Sequence, residues 1–421
     1  MQKGITTRLV SHKILFNLKK NILGFDEILD KYILKYSLSS RDKNMIYNIV
    51  LTSMRYDLYV KKIIAIYIKK KLNINQYLLL LSAITQMIFL DFKDYAVINT
   101  TVEIAKNKNI KVYPGFINAV LKNILKDKEK IKYNKIEFND LPHWFTKETT
   151  NWEDTNKKKF LQSIIQKPDL HLVFKNIKSL NLFNYKSIKT SKISLTTENT
   201  QIDKLPRFEK GEWWIQDYSS MLPILLTPNI NNKQIIDMCA APGGKTFQLL
   251  SQNANLDIVE INPLRANVLK ENLNRLKYTN KIHIKDSLKI NENKKYDIVL
   301  IDAPCSSIGT IRRNPEIFFR NNSPNFEQLI SLQKKLLEKA KKILKKKGII
   351  IYVVCSFLEQ ETVNQIQLFL KNNYNFQIKK FHLEKDTYSL IDSEGFINII
   401  PKKIKNVNID GFFAAKLINN D

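Results

Sequence analysis

The sequence predicts an α/β chain: an open, mostly parallel sheet covered by helices on both faces, preceded by an all-helical region and a small mixed α/β segment. Three observations predict it. From Gln234 onward, apolar strand-like runs alternate with helical stretches at the spacing of βαβ units. The first 127 or so residues hold almost no glycine and repeat apolar residues at helical intervals. At 421 residues the chain is also too long for one ordinary core, which favours two or three domains.

The helical region is expected over residues 1–127. Leu9, Ile14, Leu15 and Leu18 line one face of a first helix, and Phe116, Val120, Leu121 and Ile124 line one of the last. Ser39-Ser40-Arg41-Asp42 offers a helix start before Met45, Ile49, Leu51 and Met54. Tyr77–Leu90 is apolar on most faces and reads as the central helix of a bundle. Asp127 to about Lys135 is lysine-rich and reads as a connector. Residues 128–215 then form the connector and a small segment with strand-like runs at Leu170–Phe174, Ile193–Thr196 and Trp213–Ile215. Trp213 and Trp214 could stack on a base, but paired tryptophans in a short strand are more commonly packing residues. Ser219 or Ser220 is expected to start a helix that ends near Leu226.

From residue 216 to the end, buried parallel strands are expected at Gln234–Met238, Leu256–Val259, Ile282–Lys285, Tyr296–Ile301 and Gly348–Val354. A long helix should run through Leu329, Leu332, Leu336, Ala340 and Ile343, with Lys341–Lys347 at its end and Gly348 stopping it. Ile409–Leu417 reads as a turn followed by a strand.

Composition narrows the class. A formal charge of +28 and 68 basic residues suit a polyanionic partner, although abundant Lys, Asn and Ile also suggest an AT-rich coding bias. Three cysteines without CxxC spacing make no disulfide framework, and imply free thiols in a reducing compartment. Five scattered histidines offer no zinc pattern, so no metal is expected. The amino terminus mixes charges among its apolar residues, unlike a signal peptide, and the longest apolar run is short for a membrane span. A soluble, cytoplasmic monomer is expected.

All three cysteines fall at predicted strand ends. Asp237-Met238-Cys239-Ala240-Ala241-Pro242-Gly243-Gly244-Lys245-Thr246 follows the first strand of the sheet. Asp302-Ala303-Pro304-Cys305-Ser306-Ser307 follows the fourth, and Val354-Cys355-Ser356 closes the fifth. Residues just past the carboxyl ends of parallel strands face the ligand crevice of such a sheet. The glycine turn is neither a dinucleotide GxGxxG nor a P-loop, because the spacing of both is missing. Glu260 ends the second strand, where an acid can take ribose hydroxyls, and Asp286 follows the third.

These segments resemble motifs of the NOL1/NOP2/Sun family of RNA cytosine-C5 methyltransferases, most closely the bacterial Sun, RsmB-type branch acting on 16S ribosomal RNA. The resemblance implies a class I (Rossmann-like) S-adenosylmethionine-dependent methyltransferase domain over 216–421. It also implies a NusB-like RNA-binding domain over 1–127, carried by Ala96-Val97-Ile98-Asn99 with Glu103 and by Gly115–Leu121. A small RNA-binding subdomain would lie between them. Cys239, Ala240, Ala241, Pro242, Gly243, Gly244 and Lys245 would cradle the methionine part of S-adenosylmethionine, with Glu260 on the ribose, Asp286 at the adenine, and Asp302 nearby. The family has Asp at the position of Glu260 and Thr at that of Val354. Ile409-Asp410-Gly411-Phe412-Phe413 resembles its closing Asp-Gly-Phe-Phe signature.

Cytosine C5 needs a nucleophile added at C6 before it can take a methyl group, and that addition splits one hard step into easier ones. Cys355 is the expected nucleophile. Ser356 and Glu359 stand in capping-box spacing, which would put the thiol at a helix amino end and favour its thiolate. By resemblance Cys305 assists release of the product, and Asp302 pairs with cytosine N3. Cys239 reads as a packing residue. Arg312 and Arg313, just after the Cys305 segment, are candidates for RNA phosphate contacts. A competing reading is a noncatalytic RNA-binding assembly factor, or the same chemistry on transfer RNA or 23S RNA. An amino-methyltransferase is disfavoured, because Asp-Ala-Pro-Cys stands where those enzymes carry Asn-Pro-Pro.

Overall fold

A computed structural model describes residues 3–20, 25–131, 135–198, 200–382, 388–404 and 406–421. Residues 132–134 of the expected connector lie outside these; Lys128–Ile131 before them is a helical turn. The chain divides into two compact units, residues 1–166 with 311–324, and residues 167–310 with 325–421.

The first unit is helical. Its principal helices are α1 (Lys3–Lys19), α2 (Phe25–Tyr36), α3 (Ser40–Arg55), α4 (Asp57–Tyr67), α5 (Ile74–Ile88), α6 (Asp94–Ala105) and α7 (Pro114–Lys126). α3 begins where the Ser-Ser-Arg-Asp run predicts: the Ser39 hydroxyl accepts the Asp42 amide and the Asp42 carboxylate returns to the Ser39 amide. α5 is the expected central helix, since every residue from Leu78 to Ile88 is buried. Residues 128–166 belong to the same unit and carry an aromatic cluster of Trp144, Phe145, Trp152 and Phe160, which Phe318 of the 311–324 segment joins. That segment is tied down within the unit: the Arg55 guanidinium donates to the Arg312 carbonyl (2.8 Å), and the Lys19 ammonium sits 4.3 Å from the Phe319 ring centroid.

The second unit holds two larger sheets. The smaller is formed by β1 (Leu170–Phe174), β2 (Ser187–Ser191), β3 (Ser194–Thr197) and β4 (Trp213–Ile215), all antiparallel, in the order β2-β3-β1-β4. Trp213 and Trp214 are buried, and their indole N–H groups are satisfied by the Pro206 carbonyl and Gln216 Oε1. They pack rather than stack on a ligand.

The larger sheet takes β5 (Gln234–Asp237), β6 (Asn255–Glu260), β7 (Ile282–Ile284), β8 (Tyr296–Asp302), β9 (Leu344–Val354), β10 (Phe376–Ile378), β11 (Ile397–Ile399) and, after a β12–β13 hairpin (Lys402–Ile404 and Val407–Ile409), β14 (Phe412–Asn419). The order is β10-β14-β9-β8-β5-β6-β7, with β11 also on β14. β5 to β9 are parallel, and β14 runs antiparallel to β9. Alternate residues feed two cores. Ile235, Ile258, Leu300, Ile351 and Phe412 pack on one face; Ile236, Val259, Val299, Tyr352 and Phe413 pack on the other. The strands are apolar throughout because both faces are covered. The strand order reverses between β5 and β8, and such sheets bind ligands beyond the carboxyl ends of the strands at that point.

Two local expectations need correction. The long helix ends at Ile343, and Leu344 already pairs with Tyr296 of β8. Lys345–Gly348 forms an irregularity within β9 rather than a helix end, because the pairing shifts between Tyr296 and Ile298. The helix Tyr218–Leu225 is capped by Asp217, which accepts the Ser219 amide, and not by either serine.

Candidate active site

The glycine turn follows β5. Gly243 has φ +113°, and a Cβ there would press into Phe247 and Leu269, so this turn requires glycine. Gly243 caps the helix Gly244–Ser251, whose first turn directs Lys245 inward until only 5% of it is exposed. The loop is braced from the next strand. Glu260, buried at the end of β6, accepts the Ala241 amide (3.1 Å) on one oxygen and the Asn262 amide (2.9 Å) on the other, and Arg265 donates to the Ala241 carbonyl. Asp286 follows β7 and caps the short turn Ser287–Lys289, accepting the Leu288 amide (2.9 Å). A glycine turn and two acids therefore stand at the ends of three adjacent parallel strands.

β8 and β9 carry Asp302 and the two candidate thiols. Asp302 pairs with Val353, and the Ala303 amide continues the ladder to the Val353 carbonyl (2.9 Å), so Cys305 and Cys355 leave neighbouring strands side by side. The two thiols are close enough to influence each other. This influence, followed by burial and the nearby Glu361 carboxylate, raises the Cys305 thiol well above its ordinary value. At Cys239, burial first, then Asp237, pushes the thiol up.

Behind the thiols, Lys245 Nζ donates to Asp302 Oδ2 (2.8 Å) and Ser220 Oγ (3.2 Å) and lies 5.0 Å from the Phe412 ring centroid. Burial lowers the Lys245 pKa, but the attraction of Asp302 and Cys355 outweighs it, and the ammonium is favoured overall. Asp237, at the end of β5, is fully buried. Its carboxyl accepts the Thr246 hydroxyl (2.7 Å), and burial raises its pKa to about 7.

Cys355 does not stand at a helix amino end, contrary to the capping-box spacing. Ser356–Leu358 is irregular, the Ser356 hydroxyl accepts the Leu358 amide (3.2 Å), a 3₁₀ turn spans Glu359–Glu361, and the α-helix begins at Val363. The positive charge near the thiol comes from Lys245 instead. The delay before the helix carries Glu361 into the protein. Glu361 is fully buried. Its Oε1 accepts the Ser306 amide (2.8 Å) and Gln333 Nε2 (3.2 Å), its Oε2 accepts the Ser306 hydroxyl, and its own carbonyl accepts the Tyr352 hydroxyl (2.8 Å). Gln333 also donates to the Pro304 carbonyl (2.9 Å). Sequence reasoning missed this clamp on the Cys305 loop. A Glu within a 3₁₀ turn gives no sign of facing inward, and Ser306 is 55 residues away.

The closing signature also serves this site. Gly411 donates to the Gly309 carbonyl (2.8 Å), and Gly309 donates to the Cys355 carbonyl (3.0 Å). A Cβ on Gly309 would lie 2.0 Å from the Gly411 carbonyl oxygen, so the backbone behind Cys355 can close only with glycine. Arg312 and Arg313 belong to the helical unit. Arg312 is fully buried there, and Arg313 is partly exposed.

Comparison with known proteins agrees with this architecture. The family model for 16S rRNA methyltransferase RsmB/F matches residues 223–418, and that of the NusB family matches residues 6–126. Ribosomal RNA small subunit methyltransferase B of Pasteurella multocida is 26% identical over 389 residues, covering 86% of this chain and 84% of the relative. The protein of the same name from Yersinia enterocolitica is 26% identical over 409 residues, covering 91% and 92%. Among solved structures, PH0851 aligns with a TM-score of 0.72 at 20% identity over 98% of both chains. NSun6 from Pyrococcus horikoshii with SFG aligns at 0.57 and 17% identity, over 66% of this chain and 98% of that one. At these identities the structures speak to the fold.

Proposed function

We propose that this chain, which belongs to the 16S rRNA methyltransferase RsmB/F family, methylates carbon 5 of a cytosine in small-subunit ribosomal RNA through a covalent adduct between Cys355 and C6. It is an S-adenosylmethionine-dependent rRNA methyltransferase by that membership. The single observation that supports the thiol mechanism is the pairing of Cys305 with Cys355 beside the Lys245–Asp302 ion pair.

The residues present fit S-adenosylmethionine. The Cys239–Gly244 turn is held open by a left-handed glycine, and acids end the next strand and follow the one after, as an adenosyl group with ribose and base edges requires. The turn with Lys245 would hold the methionine part, Glu260 the ribose, Asp286 the adenine, with Asp302 nearby. When bound, the cofactor supplies an electrophilic methyl group on a sulfonium.

The chain's own residues account for the rest. Cys355 stands beside Cys305 and near the Lys245 ammonium, and its sulfur is the nucleophile of this reading. Its sulfur adds to C6, and the electron pair of the C5–C6 double bond is released toward C5. Asp302 pairs with N3 and the exocyclic amine, and Lys245, 2.8 Å behind it, keeps a proton at hand for N3. After C5 is methylated, a base must take its remaining proton so that the Cys355–C6 bond can break. Cys305 is placed for that task. The largest cause raising its pKa is Cys355 itself, and a Cys355 tied up as a thioether no longer opposes ionisation of Cys305. Burial and the Glu361 carboxylate still hold the Cys305 thiol up, so the adduct removes only the largest of the causes that oppose its ionisation. The target nucleotide must leave its stack to enter.

RNA binding is assigned to residues 1–127 and to the segment 128–215, with catalysis in 216–421. Arg313 is the better candidate of the arginine pair for a phosphate, since Arg312 is buried. Bisulfite sequencing of 16S RNA methylated in vitro tests the reading. One cytosine should resist conversion after reaction with the wild-type protein and convert after reaction with Cys355→Ala; an unchanged pattern with Cys355→Ala would refute the mechanism.

A further inference from the structure

At the end of the sheet away from Cys355, where β8 and β9 begin, lies a cavity of about 700 Å³. Six lysines line it: Lys233, Lys346, Lys347, Lys379, Lys380 and Lys416. The acid in its lining, Asp297, is already engaged by the Gln234 amide (2.8 Å) and Lys345 Nζ (3.1 Å). Excess lysine in a basic protein is ordinarily solvated filler, but Lys416 is not. On β14 it follows Phe412 and Ala414 along one face of the strand, and it is 2% exposed. Three lysines are buried among the described residues. Lys245 has Asp302 and Lys339 has Glu292. Among the described residues, Lys416 has no carboxylate and no hydrogen-bond acceptor; its ammonium lies 4.7 Å from the Phe381 ring centroid. Burial, then the neighbouring Lys379, lowers its pKa to about 8. A buried cation without a counter-charge is costly, and an anion supplied from outside would offset that cost.

We propose that this cavity is a phosphate-binding site, taking consecutive phosphate groups carried either by an RNA backbone or by a free polyphosphate. Lysine ammoniums bind phosphate as point charges, and six of them around one cavity exceed what a single carboxylate could balance. The site is separate from the crevice that holds Cys305 and Cys355, and it requires no part of the methyl-transfer mechanism.

The test uses the full chain and two variants: Lys416→Met, which removes the buried charge while keeping an apolar stem, and Lys346→Ser/Lys379→Ser, which alters only exposed side chains. Calorimetry measures binding of inorganic tripolyphosphate, and filter binding measures a 16S rRNA fragment across a salt series. If free polyphosphate is the ligand, tripolyphosphate binds the wild type and both variants weaken it tenfold or more, with RNA affinity unmoved. If RNA is the ligand, RNA affinity falls in both variants, and the salt slope drops by about 0.7–0.9 for each phosphate no longer neutralised. Methyl transfer at saturating RNA stays at the wild-type rate in either case, so the outcome is read apart from catalysis. Wild-type protein that binds no tripolyphosphate, together with variants whose RNA affinity and salt slope match the wild type, overturns the proposal.

Discussion

Replacing Glu361 with alanine would strand two buried donors, the Ser306 amide and one N–H of the Gln333 side chain; the other Gln333 N–H keeps the Pro304 carbonyl, and the Ser306 hydroxyl can turn to Ser356 Oγ (3.4 Å). At about 1–3 kcal/mol for each buried group left unsatisfied, with water entering the vacated space and easing part of it, the loss is roughly 2–5 kcal/mol. That is a large fraction of the 5–15 kcal/mol, as an order of magnitude, that holds a domain folded. Glu361→Gln should recover most of it. The glutamine oxygen can take the Oε1 position and keep the Ser306 amide and Gln333. Its NH₂ then faces a Ser306 hydroxyl that can rotate from donor to acceptor, leaving a deficit of about 1 kcal/mol. Urea unfolding followed by tryptophan fluorescence measures both variants. The charge gives a second readout that a purely structural role would not move. The Glu361 carboxylate helps raise the Cys305 thiol, so Glu361→Gln should let iodoacetamide modify Cys305 at lower pH, read by peptide mass spectrometry. A Gln variant as unstable as the Ala variant would refute the hydrogen-bond accounting. An unmoved alkylation profile would refute the electrostatic part.

Cys305→Ala is expected to accumulate a denaturant-resistant protein–RNA adduct on substrate RNA, and the adduct should vanish when Cys355→Ala is added; gel electrophoresis decides, and a Cys305→Ala protein that turns over without an adduct counts against the division of labour. Lys245→Met should lower transfer of labelled methyl groups by roughly 10²–10⁴-fold, the range of a lost general-acid contribution, and a loss under tenfold would remove Lys245 from the chemistry. Asp237 has a folded pKa of about 7 against an ordinary 3.8. A raised carboxyl favours folding fully below its unfolded pKa and loses that contribution as the pH climbs from about 4 to 7. Asp237→Asn should therefore be more stabilising, relative to wild type, at pH 8 than at pH 5 by roughly 1–3 kcal/mol; equal differences at the two pH values would show that the carboxyl is not raised.

The parallel strands were legible because burial on both faces writes them as unbroken apolar runs, such as Ile298–Ile301 and Ile349–Val354. β10 and β11 were not, because three residues leave no period to detect. The cofactor turn and the two thiols could be found because residue type and strand-end position coincide in one short stretch. What joins them could not. Lys245 carried the marks of a ligand loop, and nothing local told that its ammonium would turn to Asp302, 57 residues on. The capping-box pattern after Cys355 misled for a related reason: Ser356 and Glu359 satisfy a local rule, but the chain follows a nonlocal one, the need of the Ser306 loop for a buried acceptor at Glu361.

The same contrast governs the charge. A composition of 68 basic residues cannot say which of them act. Placement can, since a lysine in water costs little to keep and a lysine out of water needs a partner. Lys245 finds its partner within the chain and thereby draws Asp302 and Cys355 into one electrostatic unit. Lys416 finds none among the described residues. For a protein this basic, the informative cations are the few that folding has withdrawn from solvent: Lys245, held by Asp302 at one end of the sheet, and Lys416, in the proposed phosphate site at the other.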